Sequence, residues 1–186
     1  MKPVQSYGNP LIDWVKDHTQ FLLDPFAKVL HKIGVSPNFA TSLSFLTGIF
    51  AAYFLFKDFP LFLTFAIAHF IFDLFDGAVA RISKKVTTFG RWFDYGTDRT
   101  VTLLLLIQCA FFLQDELIFW IIIIYIIHHL IYILHKGDII LFYSRSVLLF
   151  SLMLGYTWFG LLFAGFVSAI GVLAQILIMA EKTYGK

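Results

Sequence analysis

Six apolar windows limit what this chain can become. They lie at about 39–56, 60–80, 90–113, 117–135, 139–155 and 158–180. Each approaches the ~20 residues that carry a helix across a ~30 Å hydrocarbon core. Lipid offers backbone N–H and C=O groups no partner, so only helices or a closed barrel can span it. The alternating ten-residue pattern of barrel strands is not visible, which leaves helices. Hydrophobic residues make up 59% of 186, Phe occurs 23 times and the mean hydropathy is +0.81. Too few polar side chains remain to cover a soluble domain of that size. The expectation is an all-α integral membrane protein, a single domain over 1–186, with six transmembrane helices within 38–181. Tyr143, Ser144, Arg145 and Ser146 interrupt the fifth.

Residues 1–37 read differently. Leu11, Trp14, Val15, His18, Leu22, Phe26, Val29 and Ile33 fall on one helical stripe, and Lys16, Asp17, Asp24, Lys28 and Lys32 fall off it. A Trp with a basic polar face predicts an amphipathic helix lying in the membrane interface, kinked or divided at Pro25. Ser36-Pro37-Asn38 then turns the chain into the first span, with Ser36 or Asn38 as cap. No apolar h-region of a cleavable signal peptide opens the chain. The single Cys109 excludes an internal disulfide.

The basic residues orient the spans. With six crossings both termini share a side with loops 81–90 and 136–138, where Lys28, Lys32, Arg81, Lys84, Lys85, Arg91, Lys136 and Lys182 gather. The opposite side carries Lys57 beside Asp58, Asp115 and Glu116. Positive residues stay inside, so the termini are expected in the cytoplasm and the protein in the cell membrane. A net charge of +2 makes no case for nucleic acid.

Asp73, Asp76, Asp94 and Asp98 stand inside this apolar sequence. Each central Asp costs roughly 2.5–3.5 kcal/mol on insertion scales, so four cost about 10 kcal/mol unless something pairs with them. Asp73 and Asp76 are three apart, and Gly77 and Ala80 continue their face; Gly90, Asp94 and Asp98 are four apart on the next span. The short connection 82–88 makes the two helices antiparallel neighbours, so two Asp from each face one another. At 1.5 Å per residue, Asp76 lies about 7 Å and Asp73 about 12 Å inward from Arg81, in the cytoplasmic half of the membrane. Oxygen-only ligands point to hard divalent cations, Mg²⁺ or Mn²⁺. Four carboxylates around two cations match the two-metal arrangement for displacement at phosphorus. A carboxylate not fully engaged by metal can deprotonate an attacking hydroxyl, and Arg81 suits phosphate oxygens near the surface. Two rival readings remain. Arg91 and Arg99 can neutralise Asp94 and Asp98 without any metal, and an ion- or proton-coupled transporter also keeps carboxylates in the membrane. Transporter sites sit near the midplane beside broken helices and internal repeats, neither of which is visible here.

Asp73, Asp76, Gly77, Ala80, Arg81, Gly90, Asp94 and Asp98, with both long gaps between them, resemble the signature of the class I CDP-alcohol phosphotransferases (CDP-alcohol phosphatidyltransferases). Pro37, Asn38 and Thr41 and the span count extend the resemblance across most of the chain. It implies that Asp73, Asp76, Asp94 and Asp98 hold two Mg²⁺ or Mn²⁺ ions and that Asp98 takes the proton of the incoming alcohol. Gly77 and Arg81 are then expected at the CDP diphosphate, with Thr87, Asn38, Thr41 and Gly90 toward the rest of the donor. The implied reaction is attack on the phosphorus bearing the donor alcohol, with CMP leaving, in a homodimer. A chain this short with six spans resembles the members that use CDP-diacylglycerol or CDP-archaeol; the alternative is a CDP-choline or CDP-ethanolamine enzyme acting on diacylglycerol.

The acceptor is less defined. His128, His129, His135, Lys136, Asp138, Tyr143, Ser144 and Arg145 are polar enough to line a pocket. Lys136 and Arg145 suit a phosphorylated acceptor such as inositol phosphate or glycerol phosphate, with serine an unphosphorylated alternative. Asp98-Arg99 resembles members that handle inositol phosphate, but their later arginine-rich segment is missing. His69, one turn before Asp73, reads as a packed or hydrogen-bonded helix residue.

Overall fold

A computed structural model describes residues 23–83, 87–134 and 144–184, and all regular structure among them is helical. Helix α1 covers 23–32. It is followed by α2 (Pro37–Phe54), α3 (Phe59–Ile82), α4 (Thr88–Leu113), α5 (Glu116–Leu134), α6 (Ser144–Met153) and α7 (Thr157–Tyr184). Short polar caps start three of them. Ser36 Oγ accepts from Phe39 N at 3.2 Å, Asp58 Oδ1 from Leu61 N at 3.0 Å, and Thr87 Oγ1 from Gly90 N at 2.9 Å. Ser36, not Asn38, is therefore the cap of α2. Pro37 and Pro60 sit in the first turns, where a missing N–H costs nothing.

Helices α3, α4, α5 and α7 are long and apolar enough to cross a membrane. Their outward faces are hydrophobic: Phe111 is 74% exposed, Trp120 61%, Phe166 64% and Leu177 69%. Apolar surfaces this extensive, on helices of spanning length, are the kind that face a bilayer. The structure thus gives a multi-pass membrane protein. Helix α2 is rich in hydroxyl side chains, and those of Ser42 and Thr47 are satisfied within the helix itself. Ser42 donates to Asn38 O at 2.9 Å and Thr47 to Leu43 O at 2.9 Å. Helix α6 has 10 described residues and opens with Ser144, Arg145 and Ser146.

Helix α1 packs Leu23, Ala27 and Leu30 onto Ala78, Val79 and Ile82 at the end of α3. Phe26, Val29 and Ile33 of the expected apolar stripe point outward, each at least 60% exposed. Helix α1 thus buries one face on α3 and leaves an apolar face uncovered. The stripe positions Leu11, Trp14, Val15, His18 and Leu22 lie outside the described residues.

The core lies among α2–α7, with α2 packed chiefly on α3 and α4, and α7 on α5 and α6. Small residues line the buried face of α2: Ala40, Thr41, Ser44, Gly48, Ala51 and Ala52. Gly48 shows why. A Cβ there would lie 2.5 and 2.9 Å from the Val101 methyls and 3.1 Å from His69 Nδ1. Only glycine lets the helices approach this closely, the device by which membrane helices gain contact without a hydrophobic driving force.

Candidate active site

The close packing of α2, α3 and α4 brings three carboxylates together. Asp73 and Asp76 on α3 and Asp94 on α4 each offer an oxygen, and all three oxygens lie within 4.8 Å of one another. Asp76 is buried, at 7% exposure, and Asp73 and Asp94 are half-buried. An all-oxygen donor set this compact fits a hard divalent cation. Thr41 Oγ1 on α2 donates to Asp76 Oδ2 at 2.8 Å and also lies 3.1 Å from Pro37 O.

Asp98 stands outside this trio, its carboxylate bonded by Arg145 of α6. Arg145 Nη1 bonds Asp98 Oδ1, and Nη1 and Nη2 also grip Asp73 Oδ1 and Oδ2 at 2.8 and 2.6 Å. The bidentate fork on Asp73 is the strong geometry of guanidinium–carboxylate pairing. The cation that meets the Asp cluster is therefore Arg145. Among the described residues neither Arg91 nor Arg99 forms an ion pair; Arg99 lies 5.2 Å from the Tyr95 ring centroid. Asp76 and Asp94 have no cationic hydrogen-bond partner among the described residues.

Two concavities meet at the cluster. The first is a polar cleft between α2, α3 and α4, lined by Asp76 and Asp94 together with Asn38, Thr41, Gly77, Thr87, Gly90 and Arg91. Five of the six residues assigned to the donor by resemblance share this cleft; Arg81 is exposed, and a Cβ on Gly77 would lie 3.3 Å from its Nη1. A Cβ on Gly90 would lie 3.1 Å from Thr87 Oγ1 and 3.3 Å from Asn38 Oδ1, so its absence keeps the cleft open. The second is an apolar groove of about 750 Å³ between α3 and α6. It starts at Asp73 and Arg145 and continues past Phe70, Leu74, Phe150 and Leu154 to Tyr156 and Phe159.

The other expected residues go elsewhere. His128 and His129 on α5 are buried and not part of the trio, with His129 Nδ1 3.0 Å from Tyr95 Oη and the His128 ring against Gly171. Ser144 is buried at the start of α6. Lys136, His135, Asp138 and Tyr143 lie outside the described residues. Sequence reasoning gave Arg91 no place in the cleft and passed over Ser44. Arg91 directly follows the motif glycine that opens the cleft, and Ser44 lies one turn beyond Thr41 on the same face.

The helical membrane fold and the acidic site define a polytopic protein built for charged chemistry beside lipid. The profile of the CDP-alcohol phosphatidyltransferases matches residues 34–181, and the chain belongs to that family. Among solved structures it resembles Mycobacterium tuberculosis phosphatidylinositol phosphate synthase (PgsA1) with CDP-DAG bound. The TM-score is 0.66 at 17% identity, over 85% of this chain and 91% of that one. A sequence search of curated proteins found no match.

Proposed function

We propose that this enzyme transfers a phosphatidyl-type group from a CDP-lipid, CDP-diacylglycerol or its archaeal ether analogue, to a small polar alcohol, releasing CMP. One observation carries the reading. The carboxylate trio joins a polar cleft holding Asp76 and Asp94 to a lipid-sized apolar groove holding Asp73. A CDP-lipid has the same layout: a nucleotide head, a diphosphate and acyl chains. At about 750 Å³ the groove falls within the range of small-molecule sites. The CDP-diacylglycerol bound to the mycobacterial synthase supports the same choice of donor.

Asp73, Asp76 and Asp94 would hold divalent metal, Mg²⁺ or Mn²⁺, with Asp98 as fourth ligand where two ions bind. Bound there, the cations neutralise the diphosphate and the leaving CMP. Gly77, Gly90, Asn38, Thr41 and Thr87 shape the cleft, and Arg81 reaches phosphate from its rim. The acceptor hydroxyl attacks the phosphorus that carries the lipid alcohol, a new P–O bond forms, and the anhydride P–O bond to CMP breaks. Asp98 takes the hydroxyl proton. Arg145 holds the Asp98 carboxylate at the mouth of the lipid groove. With Lys136 it is the basic residue proposed to meet an acceptor phosphate, for which a carboxylate must exchange. The acceptors in view are inositol phosphate, glycerol phosphate and serine.

The full chain is proposed to form six spans after an interfacial N-terminal helix, as a homodimer in the cell membrane with the site at the cytoplasmic face. The Lys and Arg bias toward the loop between α3 and α4 supports that orientation. The test is CMP release in liposomes. CDP-diacylglycerol with Mg²⁺ or Mn²⁺ and an acceptor panel should yield CMP and phospholipid. CMP from CDP-choline and diacylglycerol instead would move the groove to a lipid acceptor, and metal-independent inertness with every pair would reject the enzyme.

A further inference from the structure

His69 is buried at 1% exposure in the membrane, between α2 and α6, and the reaction above gives it no task. Both ring nitrogens have partners. Nδ1 lies 2.8 Å from the carbonyl oxygen of Ser44 and 2.9 Å from its Oγ. Nε2 lies 3.4 Å from Arg145 Nη1, the nitrogen that also reaches Asp73 and Asp98. A carbonyl oxygen can only accept, so Nδ1 carries the proton. A guanidinium can only donate, and Nη1 shares its two N–H groups among Asp73, Asp98 and the ring, so Nε2 faces it with its lone pair. The partners on the two sides thus call for the same neutral tautomer. Ser44 Oγ adds a bond to the His69 carbonyl at 3.2 Å, fixing the backbone that carries the ring.

We propose that His69, anchored by Ser44, is a positioning residue: it holds the Arg145 nitrogen that also meets Asp73 and Asp98, and thereby sets the Asp98 carboxylate for proton transfer. The inference rests on the proposed role of Asp98. An arginine on the short helix α6 reaches 72 residues back in sequence to Asp73, and two carboxylates compete for its fork. Without a third, neutral acceptor the guanidinium can rotate toward either one. The imidazole lone pair supplies that acceptor without adding charge. Partners that orient a catalytic group indirectly commonly change activity 10–100-fold when removed.

Two substitutions separate the two halves of the ring. His69→Asn places an amide near the Nδ1 position and keeps the Ser44 anchor. His69→Gln places an acceptor near the Nε2 position and keeps the Arg145 support. CMP release from CDP-diacylglycerol, with a mixture of serine, inositol, inositol phosphate and glycerol phosphate, reads both variants. His69→Asn is expected to lower kcat about tenfold or more with the donor KM within about twofold, and His69→Gln to retain most of kcat. His69→Asn on an Arg145→Gln background should add no further loss, because one residue acts through the other. Wild-type kcat in His69→Asn, or additive losses in the double variant, would overturn the proposal. Full turnover in Asp98→Asn would instead remove the reading beneath it. A readout independent of turnover is ¹⁵N NMR of the labelled imidazole in detergent. It should show Nδ1 protonated and Nε2 bare, with the Nε2 resonance moving in Arg145→Gln. A protonated Nε2, or no movement, would refute the contact itself.

Discussion

Replacing Arg145 by Ala removes the one guanidinium shared by Asp73 and Asp98. Three charge-assisted hydrogen bonds are lost, two on Asp73 at 2.8 and 2.6 Å and one on Asp98. The side chains are only 10%, 20% and 17% exposed for Arg145, Asp73 and Asp98, so water replaces the guanidinium poorly. Removing one partner of such a buried pair costs roughly 3–5 kcal/mol, because the remaining charges stay desolvated. Taking about 2–4 °C per kcal/mol for a chain of this length, Tm should fall on the order of 10 °C. The sign of the metal effect also follows. With the guanidinium gone, four carboxylates repel one another, so a divalent cation should stabilise the variant more than it stabilises wild type. At a Mn²⁺ concentration about 100 times Kd, linkage returns about 2.7 kcal/mol, close to the lower end of the loss. The assay is thermal unfolding in detergent with EDTA and with Mn²⁺. A Tm change under about 3 °C in EDTA would refute the buried clamp. An equal Mn²⁺ increment in variant and wild type would refute its electrostatic link to the trio.

Other expectations concern the proton acceptor, the packing and the groove. Asp98→Asn should abolish turnover while CDP-diacylglycerol binding, measured by calorimetry, stays largely intact; equal loss of binding would make Asp98 mainly a ligand. Gly48→Ala should lower stability by about 1–3 kcal/mol, since its methyl meets Val101 and His69 in a packed core. An unchanged Tm would show that α2 can move aside. Phe150→Asp, in the groove wall, should raise KM for long-chain CDP-diacylglycerol at least tenfold and leave a short-chain soluble analogue nearly unaffected. Equal effects on both would place the acyl chains elsewhere.

Much of this was legible from patterns one helix long. The Asp spacing put Asp73, Asp76 and Asp94 on facing stripes, and the short link between α3 and α4 made those helices neighbours. The windows at 60–80, 90–113, 117–135 and 158–180 became helices within a few residues of their expected ends. What stayed hidden required knowing which distant helix comes close. Arg145 follows Asp98 by 47 residues and Asp73 by 72, so no periodicity links them. The Asp cluster looked as if it needed four metal-bound carboxylates, yet one of the four shares an arginine with a second. Helix α1 shows the same limit. Its sequence displays an apolar stripe, but close approach to α3 selects Ala27 with Leu23 and Leu30, and the bulky Phe26 and Ile33 are left exposed. Gly48 and Ser44 gave no chemical signal at all, because small residues matter only through what they allow to approach.

The most direct test of the central claim is CMP formation from CDP-diacylglycerol by wild type and Asp76→Asn in liposomes, titrated with Mn²⁺ and Mg²⁺. Asp76 lies in both the carboxylate trio and the polar cleft. Wild type should release CMP only with a divalent ion present, and Asp76→Asn should release at least 100-fold less at any ion concentration. Metal-independent release by wild type, or wild-type turnover in Asp76→Asn, would contradict a carboxylate-held cation acting on the CDP diphosphate.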